Sequence, residues 1–151
     1  MSAFRTSLFA ASLVCAFGAV AAPVMALDTT FFAVLLGGNE VSATGDANAG
    51  DPDGYGAASI VFKSNTELCY SLTAVGIRRP TSAHIHEAPA GVVAPPLVPL
   101  NPPSTGNPGV SSDCISVDRE IGRRIRTNPS GFYVNIHNKP FPDGAIRGQL
   151  F

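Results

Sequence analysis

Surplus positive charge is missing from this chain, which carries 10 Lys+Arg against 11 Asp+Glu in 151 residues. A nucleic-acid binder working through a large basic surface is thereby excluded, since phosphate neutralisation needs clustered Lys and Arg. The densest basic cluster is only Arg119, Arg123, Arg124 and Arg126. No G-x-S-x-G motif occurs, which removes the nucleophile elbow of the α/β-hydrolases. No long apolar run follows residue 26, so no membrane span is expected beyond it. Strong helix-forming composition is lacking too: residues 27–151 hold 14 Gly and 12 Pro, about one fifth of that stretch, which disfavours helix-rich folds. The length is that of one domain, and neither a repeat nor a second domain is apparent.

What the chain does have begins with an export signal. Arg5 gives a short positive start, Leu8 to Val20 form an apolar run, and Val24-Met25-Ala26 place small residues ahead of a cut. Residues 1–26 are thus expected to be a signal peptide, cleaved after Ala26 or alternatively after Ala21, with a secreted or periplasmic β-domain at 27–151. A transmembrane helix is disfavoured because the run is short of about 20 residues and is interrupted by Gly18 and Pro23. Cys15 lies inside this segment, and the preceding Leu13-Val14 lacks the small residue of a lipoprotein cut. The two later cysteines, Cys69 and Cys114, would meet an oxidising compartment, and a disulfide between them is the default expectation. Two separate buried thiols are the alternative.

The pattern beyond residue 26 is one of short strands and turns. Thr29 to Leu36 is aromatic and β-branched and ends at Gly37-Gly38-Asn39. Ala43 to Gly56 is a polar surface loop; its Asp46, Asn48, Asp51 and Asp53 lack the spacing of an EF-hand. Ala57 to Lys63 and Glu67 to Val75 alternate in polarity and form a hairpin around Ser64-Asn65-Thr66. Thr81 to Glu87 is a further strand. Residues Ala88 to Gly109 contain seven prolines, which excludes a central strand and leaves a binding loop or a cover over an edge. Asp118 is a candidate N-cap for one short helix carrying Ile121 and Ile125 and ending at Asn128-Pro129, with its arginines toward solvent. Gly131 to His137 and Ala145 to Phe151 complete six or seven strands. The expected fold is an all-β, antiparallel Greek-key β-sandwich or barrel with one short helix.

All three histidines lie in predicted strands. His84 and His86 are two residues apart and share one strand face, with Ile85 on the other. His137 shares its face with Tyr133 and Asn135, while Phe132, Val134 and Ile136 point away. Were the two strands adjacent, three imidazoles would converge. Three such nitrogens suit copper or a catalytic zinc, and carboxylate-poor surroundings disfavour calcium and magnesium. The spacing alone is also what unliganded polar positions on strands would produce.

These residues resemble the CHRD domain, the module named after chordin and found in exported bacterial proteins. The resemblance rests on Asn39-Glu40-Val41 after the first strand, Ala83-His84-Ile85-His86, Tyr133-Val134-Asn135-Ile136-His137 and Gly144-Ala145-Ile146-Arg147-Gly148-Gln149-Leu150, covering about residues 30–151. After His86 the usual Gly-rich turn is replaced by Ala88-Pro89 and Pro95-Pro96. The histidine arrangement is in turn similar to the copper site of Cu,Zn superoxide dismutases. That similarity implies His84, His86 and His137 as copper ligands, zinc being the less favoured ion, and Arg147 as a cation near the open position. A full two-metal site is excluded by counting, because no fourth histidine exists.

Three functions follow. The first is an exported copper-binding module, in which Tyr133, Asn135, Arg147 and Glu40 surround the ligands. The second is an enzyme, either a copper-only dismutase-like activity or zinc-hydroxide chemistry; Glu40, Glu87 and Tyr133 are the only proton acceptors at hand, and alternation puts Glu87 on the wrong face. The third is a metal-free structural module binding a protein or envelope partner. Under the third reading Arg147 simply pairs with Glu40. The sequence leaves catalysis undecided and leans against it.

Overall fold

The computed structural model describes residues 29–151. The expected signal peptide and Cys15 lie outside the described residues. Eight strands run in the order β1 (Thr30–Leu36), β2 (Tyr55–Phe62), β3 (Glu67–Val75), β4 (Pro80–Glu87), β5 (Pro96–Leu100), β6 (Gly109–Ser116), β7 (Phe132–Asn138) and β8 (Ile146–Gln149), with one helix, α1 (Arg119–Thr127), before β7. They form a single antiparallel sheet in the order β5-β4-β7-β8-β1-β2-β3-β6. The all-β expectation holds, in the form of a curled half-barrel.

The connections are of the Greek-key kind: β3 crosses to β4 at the far end of the sheet, and β6 returns through α1 to β7. Side chains bridge the two sheet edges. Ser111 Oγ donates to the Asn101 carbonyl at 2.7 Å, Asn101 Nδ2 donates to Asp113 at 3.1 Å, and Tyr70 Oη accepts from the Asn101 amide at 2.8 Å. These bonds fasten Asn101, which follows β5, to β6 and β3.

Alternation decides which side chains enter the core. Phe31, Ala33 and Leu35 of β1, Ala58, Ile60 and Phe62 of β2, and Leu68, Tyr70 and Leu72 of β3 all point inward and are buried. The hairpin expected around Ser64-Asn65-Thr66 forms, with Phe62 opposite Leu68. On β3 and β6, Cys69 and Cys114 are directly opposed and joined in a disulfide. The predicted helix forms with Asp118 as its N-cap, accepting from the Glu120 and Ile121 amides at 2.8 and 3.2 Å. Its arginines are not all turned to solvent: Arg124 pairs with Glu87, and Arg126 lies 4.7 Å over the Phe62 ring.

Two strands were not foreseen, so the expected six or seven become eight. Within the proline-rich stretch, Pro96–Leu100 is β5, an edge strand, where prolines with their missing N–H turned to solvent cost no ladder hydrogen bond. Residues Gly109–Ser116 form β6, also an edge strand, whose polar and largely exposed side chains give no apolar alternation to recognise.

Candidate metal centre

The site is built on the outer face of the β4–β7–β8 portion of the sheet. The inner face of these strands is apolar: Ala83, Ile85, Val134, Ile136 and Ile146 are all fully buried. The opposite side chains form cross-strand rows. Ser82 faces His137, His84 faces Asn135 and then Arg147, and His86 faces Tyr133 and then Gln149. The two strands bearing the histidines are therefore neighbours, and the three imidazoles come together with their donor atoms within 4.8 Å of one another.

Loops cover this outer face, so β7 is buried on both sides along its whole length. Residues 88–95, from the proline-rich stretch, fold over one side; the Phe141–Ala145 turn covers another. His86 Nδ1 stands 2.8 Å from the Ala94 carbonyl, and His137 Nδ1 stands 2.9 Å from the Pro142 carbonyl. A carbonyl only accepts, so in both rings Nδ1 carries the proton. Both Nε2 atoms then present lone pairs. They point at the same place: Asn135 Oδ1 is 2.9 Å from His86 Nε2 and 3.0 Å from His137 Nε2, while His84 Nδ1 is 3.1 Å from His137 Nε2.

The electrostatics favour neutral rings. Burial, then repulsion from His137 and His86, lowers the His84 pKa to about 4. Burial likewise lowers His86 and His137, against the opposing effect of their carbonyl partners. Neutral imidazole is the metal-binding form, and a backbone carbonyl on the other ring nitrogen is the usual device for fixing its tautomer. The donor set thus fits a transition-metal ion held by His84 Nδ1, His86 Nε2 and His137 Nε2.

The surrounding residues have definite places. Tyr133 stacks on His86 with ring centres 4.5 Å apart, and on its other face the Arg147 guanidinium lies 3.3 Å from the ring centre. Arg147 is only 1% exposed; its Nη2 donates to the carbonyls of Pro89 and Val92 at 3.1 and 2.9 Å. It therefore ties the 88–95 loop down, and the Tyr133 ring separates it from the imidazoles. Tyr133 Oη accepts from the Ala94 amide at 3.3 Å, securing the same loop. Glu40 is buried and forms no ion pair with Arg147 among the described residues. Its Oε1 accepts from the Val41 amide, whereas Oε2 and Arg147 Nη1 have no partner. Burial raises the Glu40 pKa to about 7, opposed by the Val41 amide, by Arg147 and by the nearby Asn135 amide. Glycine is required at Gly144, where φ is +148° and a Cβ would run into the Glu40 carboxylate.

Glu87 lies on the opposite strand face from the histidines, as alternation requires, and is engaged by Arg124 at 2.9 and 3.0 Å. Asp46, Asp51 and Asp53 do not gather into a ligand set among the described residues; Asp46 instead accepts from Ser42 and Thr44. A cavity of about 350 Å³ opens beside Glu40 and Arg147, lined also by Asn39, Val41 and Gln149, and no histidine lines it. Sequence reasoning missed the Ala94 and Pro142 carbonyls, since a backbone acceptor leaves no residue signature.

A curled antiparallel sheet with three convergent imidazoles on its covered outer face defines a β-module with a candidate metal centre. The CHRD domain family matches residues 31–150, and the chain belongs to that family. No curated protein and no solved structure matches the chain.

Proposed function

We propose that this is an exported CHRD module that holds one transition-metal ion, copper in preference to zinc, through His84, His86 and His137. The observation that carries the reading is the pair of Nδ1–H···O=C contacts from Ala94 and Pro142, which turn two Nε2 lone pairs toward a common point. All-nitrogen ligation by imidazole suits both ions, and copper(II) stands above zinc in the usual order of affinity. The disulfide fits an oxidising compartment. Arg5, the apolar run from Leu8 and the small residues before Ala26 support export. No helix among the described residues is long and apolar enough to cross a membrane.

Copper titration of the purified, disulfide-intact protein tests the reading. One-to-one binding that is abolished by replacing His84, His86 and His137 with Ala is the expected result; equal indifference of both proteins to copper would refute it. Only neutral imidazole binds a metal, so affinity should fall as the pH drops through the lowered titration ranges of His86 and His137 and be lost by the His84 value of about 4.

One observation favours a metal-free interaction module instead: Phe32, Val34 and Leu36 stand exposed on the outer face of β1, near exposed Tyr55 and Phe151. The dismutase-like alternative draws less support. Arg147, its candidate for attracting an anion, is enclosed by the 88–95 loop and stacked behind Tyr133.

A further inference from the structure

We propose that the side-chain oxygen of Asn135 is a fourth donor of this centre, so that the ion is held by three nitrogens and one amide oxygen. The proposal rests on the three-imidazole reading above and adds to it a residue that is neither histidine nor carboxylate.

Asn135 is 2% exposed and occupies the central row of the site, between His84 and Arg147 across the strands. Its oxygen stands within hydrogen-bond distance of two ring nitrogens that have no hydrogen to give, because both rings have committed their Nδ1 protons to backbone carbonyls. Acceptor against acceptor at 2.9 and 3.0 Å is a repulsive arrangement in a dry site. A cation set among these acceptors turns the repulsion into coordination.

The spacings agree. Ligand atoms bonded to one ion at about 2.0–2.1 Å are separated by about 2.8–3.2 Å at the roughly 90–100° of tetragonal copper(II), and by about 3.3–3.4 Å at the tetrahedral angle of zinc. The contacts of 2.9, 3.0 and 3.1 Å that link Asn135 Oδ1, His86 Nε2, His137 Nε2 and His84 Nδ1 fall in the former range. An oxygen among three imidazoles suits copper(II) or zinc, whereas copper(I) prefers sulfur donors.

Copper(II) titration with visible and electron paramagnetic resonance spectra, on the wild type and on Asn135→Leu and Asn135→Asp, decides the matter. Loss of the oxygen in Asn135→Leu should weaken copper(II) by at least about tenfold and shift the d–d band and the copper hyperfine splitting. Asn135→Asp, which restores an oxygen at the same place with a charge, should bind at least as tightly as wild type, with its own shifted band. Wild-type binding with affinity and spectra unchanged in Asn135→Leu would overturn the fourth donor and leave the three imidazoles standing; the amide would then be a hydrogen-bond bridge with its nitrogen toward the rings. Should Asn135→Leu fail to fold, an Asn135→Asp spectrum identical to wild type would overturn the proposal equally. A wild type that binds no copper would overturn this proposal together with the reading beneath it.

Discussion

The two halves of this sheet share one inner face and differ completely on the outer one. Along β1, outward-facing Phe32, Val34 and Leu36 are 49%, 56% and 42% exposed. Along β7, outward-facing Tyr133, Asn135 and His137 are all buried, because the 88–95 loop and the Phe141–Ala145 turn lie over them. Apolar residues have been left in water where polar ones would be free, and polar residues have been buried where apolar ones would pack. Burying histidine, asparagine and arginine costs free energy unless every polar atom finds a partner, and here Glu40 Oε2 and Arg147 Nη1 find none. A covered polar face that is not self-sufficient is a sign of selection for something other than stability.

The largest effect should come from the face the halves share. Ile136→Ala opens a cavity on the inner side of β7 and should cost about 2–5 kcal/mol in urea unfolding. His137→Ala, one residue along on the outer side, should cost much less in the metal-free protein, and comparable costs would mean that the outer face is simply a second core. Next, replacing both Cys69 and Cys114 with Ala releases the clamp on the uncovered half and should lower stability by up to about 4 kcal/mol, without altering copper affinity. A change in affinity would show that the halves are coupled.

The Glu40 carboxyl sharpens the contrast by pH. Its pKa rises from 4.5 to about 7 on folding, so the folded protein holds this proton more tightly than the unfolded chain. Its contribution is complete below about pH 4.5 and is lost as the pH climbs through 7, roughly 3 kcal/mol in all for the metal-free protein. Glu40→Gln should therefore gain on wild type between pH 5 and pH 7 and level off above, as followed by thermal melting; parallel profiles would contradict a buried carboxyl that holds its proton more tightly in the folded protein. His84 acts with the opposite sense. Its pKa falls from 6.5 to about 4, so stability is lost as the pH drops through that window. Smallest of all, Val34→Thr on the uncovered half should change stability by no more than about 0.5 kcal/mol.

Much of this was legible because side-chain alternation is a strong signal where one face is apolar. Ile60, Leu68, Leu72, Val134 and Ile136 announced their strands, and the same two-residue period put His84 with His86 and His137 with Asn135. The adjacency of β4 and β7 could not be read, since 44 residues lie between Glu87 and Phe132 and pairing across such a distance leaves no local pattern. β5 and β6 escaped notice for a related reason: edge strands need neither apolar alternation nor freedom from proline. The cover over the outer face was beyond reach for a different cause. It is held by the carbonyls of Pro89, Val92, Ala94 and Pro142, groups that every residue possesses. Arg147 illustrates the limit, since its sequence position suggested an anion site or a partner for Glu40, and its guanidinium instead stacks on Tyr133 and fastens a loop.

The metal centre stands or falls with His86 and His137 being neutral, protonated on Nδ1 and open at Nε2. Long-range proton–nitrogen NMR correlation on the metal-free, uniformly ¹⁵N-labelled protein at pH 7 reads the tautomer of each ring directly, and adding zinc reports which nitrogens it occupies. The expected spectrum shows Nδ1–H for both rings, with zinc shifting their Nε2 resonances and the His84 Nδ1 resonance. Rings protonated on Nε2, or ring nitrogens that do not move when zinc is added, would contradict a metal centre at these histidines.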